Sequence, residues 1–195
     1  MQNEISILER TAIADNDIKP PDSKEVVASL LDEEKQQKKQ AKAHPLKNLV
    51  GNWNLRFITG TQKTRQKAGV VLGAGKYIPQ FIQIQIQYTS EDSSSNYGRV
   101  TNSVRLLGLQ ISLMGPIKFV PRSQILAFDF TELKFSLGGF NLYQGYIRNG
   151  QQREAEFSQK ELKHQAFFKY FLIEDNLIAA RGKGGGLALW CRERE

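Results

Sequence analysis

The sequence predicts a mainly β protein in which antiparallel strands close into a barrel, with a helix near the N-terminus. From Leu46 onward, short segments alternate apolar and polar residues, as strands with one buried face do. No helix of the length that parallel pairing requires separates these segments, so neighbouring strands are expected to be antiparallel. About eight to ten such strands fit a barrel or a sandwich. The barrel is favoured because closure removes exposed sheet edges.

Composition limits the possible partners and cofactors. The 195 residues carry 27 Lys and Arg against 20 Asp and Glu, a net charge of +7. Such a surface suits nucleic acid or anionic lipid, or serves solubility alone. No apolar run reaches the ~18 residues of a membrane span, so membrane contact is expected to be peripheral. The two histidines, His44 and His164, stand apart from any Cys or Asp cluster, so no metal or other cofactor is expected.

The chain divides into three predicted parts. Residues 1–21 have weak periodicity and end in two prolines, which predicts a flexible arm. Residues 22–44 form the predicted helix, which starts at Asp22 with Glu25 three positions later, a pattern typical of a helix N-terminus. Residues 45–195 make up the predicted barrel domain.

Basic residues mark a candidate membrane surface. Four lysines fall at helical spacing on one face of the predicted helix, and a loop after the first strand adds three more cations. One interpretation is an electrostatic contact with an anionic membrane, and the other is a solvated helix end. The residues concerned are Lys35, Lys38, Lys39, Lys42, Lys63, Arg65 and Lys67.

Two strands define the predicted barrel interior. In the segment "LVGNWNLRF", the apolar residues share one face, opposite two asparagines and an arginine. In "FIQIQIQY", three isoleucines and a tyrosine lie opposite three glutamines. The inward-facing residues are therefore expected to be Trp53, Leu55, Phe57, Ile82, Ile84, Ile86 and Tyr88.

Later segments continue the alternation. Between Arg99 and Met114, leucines and an isoleucine alternate with other residues; in "QILAFDF", Phe128 and Phe130 flank Asp129. Shorter apolar segments follow at 133–137, 167–173 and 186–192. Phe128 and Phe130 are assigned to the interior with the residues of the first strands.

The sequence offers no clear carrier of catalysis. "GAGKYI" lacks the Lys-Ser or Lys-Thr pair and the helix start of a phosphate loop, and no nucleophile elbow is present. Asp129 is a candidate general base, but an outward-facing strand carboxylate is the simpler interpretation. Tyr88, Tyr97 and Phe119 could stack on nucleic acid, yet the aromatic residues mostly sit at apolar alternating positions, which places them inside. A non-enzymatic protein is therefore favoured, and nucleic acid is not the expected partner.

Several motifs resemble known barrels. "GNW" at 51–53 resembles the first strand of lipocalin-type barrels, in which a tryptophan closes the floor beneath an arginine of the last strand; here these are Trp53 and Arg192. The segment "FFKYFLIEDNLIAARGKGGGLALWCRE" resembles the closing signature of the plastid lipid-associated proteins, or fibrillins. "LKNLVGNWNLRFITG", "RVTNSVRL" and "GPIKFVPRSQILAFDF" are similar to the opening and middle of that family. The resemblance covers about residues 46–192, and the lysine-rich N-terminus departs from it.

The resemblance implies a lipocalin-like barrel that binds or carries apolar molecules without catalysis. The ligands would be lipids, quinones or carotenoid-like isoprenoids at photosynthetic membranes or lipid bodies. The setting would be the cyanobacterial thylakoid periphery, or the thylakoid and plastoglobule of a plastid. Arg181 is the expected polar group at the cavity rim. Two alternatives remain: a pigment-handling enzyme, such as a chromophore lyase, on the same barrel, and a ligand-free coat protein of lipid bodies.

Overall fold

The computed structural model describes residues 5–13, 19–40, 42–60 and 75–193. Its described helices are α1 (Ile7–Ile13), α2 (Ser23–Gln40) and α3 (Gly150–Ala155). Eleven strands form one antiparallel sheet. They are β1 (Gly51–Thr59), β2 (Gly75–Tyr77), β3 (Gln83–Ser90), β4 (Tyr97–Leu106), β5 (Leu109–Val120), β6 (Ile125–Phe128), β7 (Glu132–Leu137), β8 (Phe140–Tyr146), β9 (Ala166–Ile173), β10 (Leu177–Gly182) and β11 (Leu187–Arg192).

Eight of the strands form a closed ring. In order around the barrel they are β1, β3, β4, β5, β6, β9, β10 and β11, and β11 pairs with β1 to complete the circle. Strand β2 adds only a short antiparallel pairing to the end of β1. The predicted antiparallel barrel is therefore confirmed. Eight strands leave an interior that side chains can fill or that one small ligand can share.

Strand β5 belongs to two parts of the sheet. Its second half, Ile117–Val120, pairs with β6 inside the ring. Its first half, Leu109–Met114, pairs instead with β7, and β8 pairs with β7 as the outermost strand. We name residues 103–114 and 133–146 the wing. The wing is a sheet extension that leaves the barrel where β5 changes its partner.

The barrel has two distinguishable ends. At one end Gly51 lies opposite Tyr88, and Trp53 lies opposite Arg192; we name this end the floor. The other end, where β1 finishes and Phe128 lies opposite Ala166, is the mouth. The register of β3 and β4 carries Gln83 and Arg105 toward the mouth. The wing therefore extends from the mouth.

The N-terminal helices cover the outside of the barrel. Leu8 and Ala12 of α1 and Val26 and Leu30 of α2 are buried against the outer faces of strands in the ring. The segment 1–21, predicted to be a flexible arm, thus contains a packed helix. The reason is tertiary: α1 has too few apolar residues to stand alone, but α2 and the barrel wall provide a surface for them. None of the described helices is long and apolar enough to cross a membrane.

Candidate functional site

The floor is closed by an indole beneath a guanidinium. Trp53 is fully buried and donates its indole N–H to the Leu49 carbonyl oxygen at 2.7 Å. The Arg192 guanidinium carbon lies 4.0 Å from the centre of the Trp53 ring, within cation–π range. Arg192 also donates to the carbonyl oxygens of Val50 and Asp175, at 3.0 and 2.5 Å. The structure thus brings together the two residues assigned to the floor.

Gly51 explains why a glycine opens this motif. Its φ of +127° lies in a region that side chains rarely adopt, and a Cβ there would approach an Arg192 nitrogen to 2.5 Å. A side chain at position 51 would therefore push the guanidinium away from the indole. The glycine of "GNW" is therefore required for the contact between the Arg192 guanidinium and the Trp53 ring.

Two tyrosines meet in the interior. The hydroxyl groups of Tyr88 and Tyr170 are 2.7 Å apart and fully buried. Burial raises the pKa of Tyr88 and of Tyr170 well above the ordinary value, so both hydroxyls remain protonated at physiological pH. One hydroxyl donates to the other, and neither offers a base. Tyr170 was not singled out from the sequence, because the apolar run "FFKYFLI" has no clean alternation to show which residues face inward.

Replacing Tyr88 with phenylalanine is expected to lower the free energy of unfolding by about 1–3 kcal/mol, because it leaves the Tyr170 hydroxyl buried without its partner. The double variant Tyr88→Phe/Tyr170→Phe should recover most of that loss. Urea unfolding of the two single variants and the double variant provides the measurement. Additive losses would mean that the hydroxyls are not coupled.

The mouth is lined by aromatic rings that are only partly buried. Phe128, Phe130 and Phe168 pack against the interior cluster, together with Leu55 and Ala188. Phe128 stacks on Phe168 with ring centres 5.0 Å apart and contacts Phe130 at 5.2 Å. Phe168 continues inward to Trp190 at 5.5 Å. The result is a partly exposed aromatic cluster at the mouth, above the closed floor.

The strand of isoleucines is shorter than predicted. Strand β3 begins at Gln83, and Ile82 lies in the preceding turn, where its N–H donates to the Pro79 carbonyl oxygen at 3.0 Å. The assignment of Ile82 to the cavity is therefore wrong, because this turn fixes its backbone outside the sheet. Ile86 and Tyr88 are buried in the interior, and Ile84 is half-buried near the mouth.

Phe57 faces outward, contrary to the prediction. The pairing of β1 with β11 shifts register between Leu55 and Phe57, which is a bulge. One extra residue reverses the alternation beyond that point. Trp53 and Leu55 therefore belong to the interior, whereas Phe57 packs with the helices and contacts Tyr77 with ring centres 5.1 Å apart.

Arg181 is also outside the cavity. It follows inward-facing Ala180 and points to helix α2, where its Nε and Nη2 donate to the Glu34 carboxylate at 2.8 and 2.5 Å. It also donates to the Gly185 carbonyl oxygen at 2.7 Å. The assignment to the cavity rim is wrong because the strand alternation places position 181 on the helix-covered face. Sequence reasoning gave no sign of Glu34, which lies far away along the chain.

The predicted lysine surface is only partly described. Lys35 pairs with Asp32 at 3.1 Å, and Lys38 lies 3.8 Å from Glu34, so acids accompany this face. Lys63, Arg65 and Lys67 lie outside the described residues. The end of α2 and the edge of β9 bound a cleft of about 220 Å³, whose cationic lining residues are Lys38, Lys42, Arg122 and Lys169. Arg122 and Lys169 were not assigned from the sequence.

A larger cleft, of about 910 Å³, lies on the outside of the barrel beside α1. Its lining includes Arg56 but also several acids, so it does not resemble an apolar ligand site. Burial, and then the nearby acids led by Glu9, raise the pKa of Glu174 there. The acidic lining residues are Glu9, Glu174, Asp175 and Glu193.

The candidate catalytic groups have structural partners. Asp129 accepts hydrogen bonds from Arg153, including one from Nε at 3.1 Å, and faces away from the interior. Cys191 is buried on the outer side of the barrel wall and accepts a hydrogen bond from Arg56 at 3.1 Å. Within the described residues, no group of His, Cys, Asp and Glu is arranged to hold a metal ion.

Comparison with known proteins identifies no family. No protein-family model matches this sequence, and no curated protein matches it either. Among solved structures, a redesigned β-barrel aligns with a TM-score of 0.37 and 9% sequence identity, covering 80% of this chain and 99% of that chain. The fold assignment therefore rests on the strand pairing of the chain itself.

Proposed function

We propose that this protein binds an apolar molecule of the lipid or isoprenoid class at the mouth of its barrel, without catalysis. The observation that carries the proposal is the mouth itself, where Phe128, Phe130 and Phe168 are partly exposed above a closed floor. Small-molecule sites are typically concave and mostly apolar, with few polar groups. The tyrosine hydroxyls below the mouth are already hydrogen-bonded to each other, so an apolar ligand does not deprive either one of its partner.

The identity of the ligand and the setting of the protein belong to the same proposal. They come from the resemblance of residues 46–192 to the plastid lipid-associated proteins: a lipid, quinone or carotenoid-like molecule at a thylakoid or lipid body. An anionic membrane surface is the proposed partner. The net charge of +7 supports this partner, as do the cations around the small cleft beside α2.

A charge at the mouth is expected to abolish ligand binding. Ile84→Lys places an ammonium group beside the apolar rim, whereas Gln85→Lys presents the same charge on the opposite face of β3, where Gln85 contacts Glu193 at 2.9 Å. Titration with an apolar fluorescent probe should show saturable binding for the wild type and for Gln85→Lys, and none for Ile84→Lys. Thermal unfolding verifies that each variant is folded. Equal loss in both folded variants would refute the proposed site.

Mass spectrometry of an organic extract of the natively purified protein identifies the ligand directly. A stoichiometric lipid or isoprenoid would support the proposal. An extract without any apolar molecule, combined with no probe binding by the wild type, would favour a ligand-free structural role instead.

A further inference from the structure

The wing has one continuous apolar face. Directly opposed residues on five adjacent strands form a row of apolar side chains, and a second row follows nearer the tip. These rows have the same alternation as Ile86 and Val100, so the apolar face continues the barrel interior beyond the mouth. The first row is Ile84, Val104, Ile111, Phe135 and Tyr143, and the second is Leu106, Leu109, Leu137 and Phe140.

The opposite face of the wing is polar. A matching row of directly opposed residues consists of Gln83, Arg105, Gln110, Ser136 and Asn141. Arg105 donates to Gln110 at 2.8 Å and to Gln83 at 3.3 Å. A sheet with one polar face normally buries its other face. Here the apolar face lies partly in solvent, with Ile111 and Tyr143 both exposed.

The tip carries the most exposed apolar residues of the wing. Leu107 is 91% exposed and Phe140 is 77% exposed. The two turns lie side by side, because the Gly138 N–H donates to the Gly108 carbonyl oxygen at 2.9 Å. Leu107 has a φ of +47°, a conformation for which two-residue hairpin turns favour asparagine. A leucine that is neither buried nor suited to its backbone indicates a role outside the isolated fold.

The charge of the wing favours an anionic partner. Its charged residues are Arg105 and Lys134, and Glu132, the acid at the start of β7 next to the wing, is paired with Arg99. Both cations alternate with the apolar rows and thus lie on the polar face. Tyr143, about half exposed on the apolar face, has the amphipathic ring that is enriched where a membrane meets water.

We propose that the wing docks on a lipid bilayer containing anionic lipid, with its tip and apolar face in the interfacial region. A second copy of this chain, pairing along the free edge of β8, would leave Leu107 uncovered, because the β4–β5 turn lies two strands away from that edge. A bilayer covers the tip and the face together. The exposed patch and the two cations of the wing both fit this partner.

The biological role of docking rests on the proposed function, because the docked wing would give apolar molecules a continuous path from the bilayer to the mouth. The path is the first row, which begins at Ile84 beside the mouth and ends at Tyr143 on β8. Docking itself is a separate property, and it is tested without any ligand.

Vesicle flotation tests docking. Leu107→Asn suits the turn better than leucine, and Phe140→Thr keeps a strand-forming residue, so both variants should remain folded. Each is expected to weaken binding to vesicles of phosphatidylcholine with phosphatidylglycerol by about tenfold, the equilibrium effect of one bulky apolar side chain left in water. Ile5→Asn, at a 56% exposed position on the N-terminal side, should bind like the wild type.

A variant with Lys35, Lys38, Lys39 and Lys42 all changed to glutamine compares the sequence-predicted surface with the wing. Binding that depends on these lysines and not on Leu107 or Phe140 would overturn the inference, as would wild-type protein that does not float. Size-exclusion chromatography with light scattering tests the alternative that a second copy of this chain covers the wing. Wing-dependent dimers that do not bind vesicles would assign the wing to a second copy.

A fluorescent label provides a measurement that does not depend on affinity. The sole native cysteine, Cys191, is buried, so an environment-sensitive dye can be placed at Leu107→Cys or, at the opposite end of β4, at Ser93→Cys. With anionic vesicles, the dye at position 107 should shift to the blue and be quenched by spin-labelled lipid, whereas the dye at position 93 should not. No change at position 107, or equal change at both, would contradict docking.

The experiments distinguish a failure of the ligand proposal from a failure of the docking proposal. Wing-dependent flotation without saturable binding of the apolar probe would remove the ligand proposal and leave docking in place. Probe binding in vesicle-free solution, combined with flotation that does not depend on Leu107 or Phe140, would leave the ligand proposal and remove docking.

Discussion

Replacing Trp53 with alanine is expected to lower the free energy of unfolding by about 3–5 kcal/mol, as truncation of a large core aromatic does. The side chain is fully buried at the closed floor, its N–H bonds Leu49, and Arg192 lies over its ring. The substitution removes the packing and also leaves the guanidinium without its aromatic partner. Urea unfolding followed by circular dichroism gives the free energy.

Two further variants separate the packing of Trp53 from the interactions of Arg192. Arg192→Met keeps an unbranched side chain over the indole but removes the charge and its hydrogen bonds to the Val50 and Asp175 carbonyl oxygens, and the loss should be smaller than for Trp53→Ala, about 1–2 kcal/mol. Gln87→Ala, at an exposed position on the outer face of the neighbouring strand β3, should have little effect. A Trp53→Ala protein as stable as the wild type would show that the floor does not hold the barrel closed.

Replacing Arg181 with methionine is expected to lower the free energy of unfolding by about 2–4 kcal/mol, because it leaves the largely buried Glu34 carboxylate without its main partner. The value is below that of a fully buried pair because 28% of the Arg181 side chain is exposed. Helix α2 should loosen first, since this pair joins it to β10. Amide hydrogen exchange along α2 and urea unfolding give the two measurements.

The same pair gives a pH dependence with a definite sign. The hydrogen bond from Arg181 lowers the pKa of Glu34 below its ordinary value of 4.5, although burial opposes this shift. Because the pKa is lower in the folded state, the contribution is present above the unfolded pKa and is lost as pH falls through the folded pKa. Acid unfolding of Glu34→Gln should lack this component.

Lys35→Met is the matched control for these variants. It removes a helix cation whose ion pair with Asp32 is more than half exposed on both sides, so its loss should be within about 1 kcal/mol. If Lys35→Met and Arg181→Met destabilise the protein equally, the partly buried pair has no special role in holding α2.

Regular alternation made the ring predictable, and local irregularity limited the rest. The alternation in β1 and β3 indicated the faces of Trp53, Ile86 and Tyr88, because period two is a direct consequence of strand geometry. The outward orientation of Phe57 was not predicted, because a bulge depends on the partner strand, which a single segment does not reveal. The position of Ile82 in a turn was not predicted, because a turn and a strand can share the same apolar spacing.

The wing and the contact between Arg181 and helix α2 could not be predicted from the sequence, because both depend on information that local patterns do not contain. Leu107 continues the alternation of its neighbours, yet it occupies a hairpin turn, where the following Gly108 was the available signal. The pairing of β5 with both β6 and β7 is a topological choice, and the contact of Arg181 with Glu34 joins distant parts of the chain. Such features follow from the assembled fold.

The change of partner along β5 also has a topological consequence. Phe128 at the end of β6 lies directly opposite Ala166 at the start of β9, so these neighbours in the ring would form an ordinary hairpin if a short turn joined them. Residues 129–165 are in this sense an insertion into a barrel that is topologically complete without them. A short turn in place of this segment would leave the strand order of the ring unchanged.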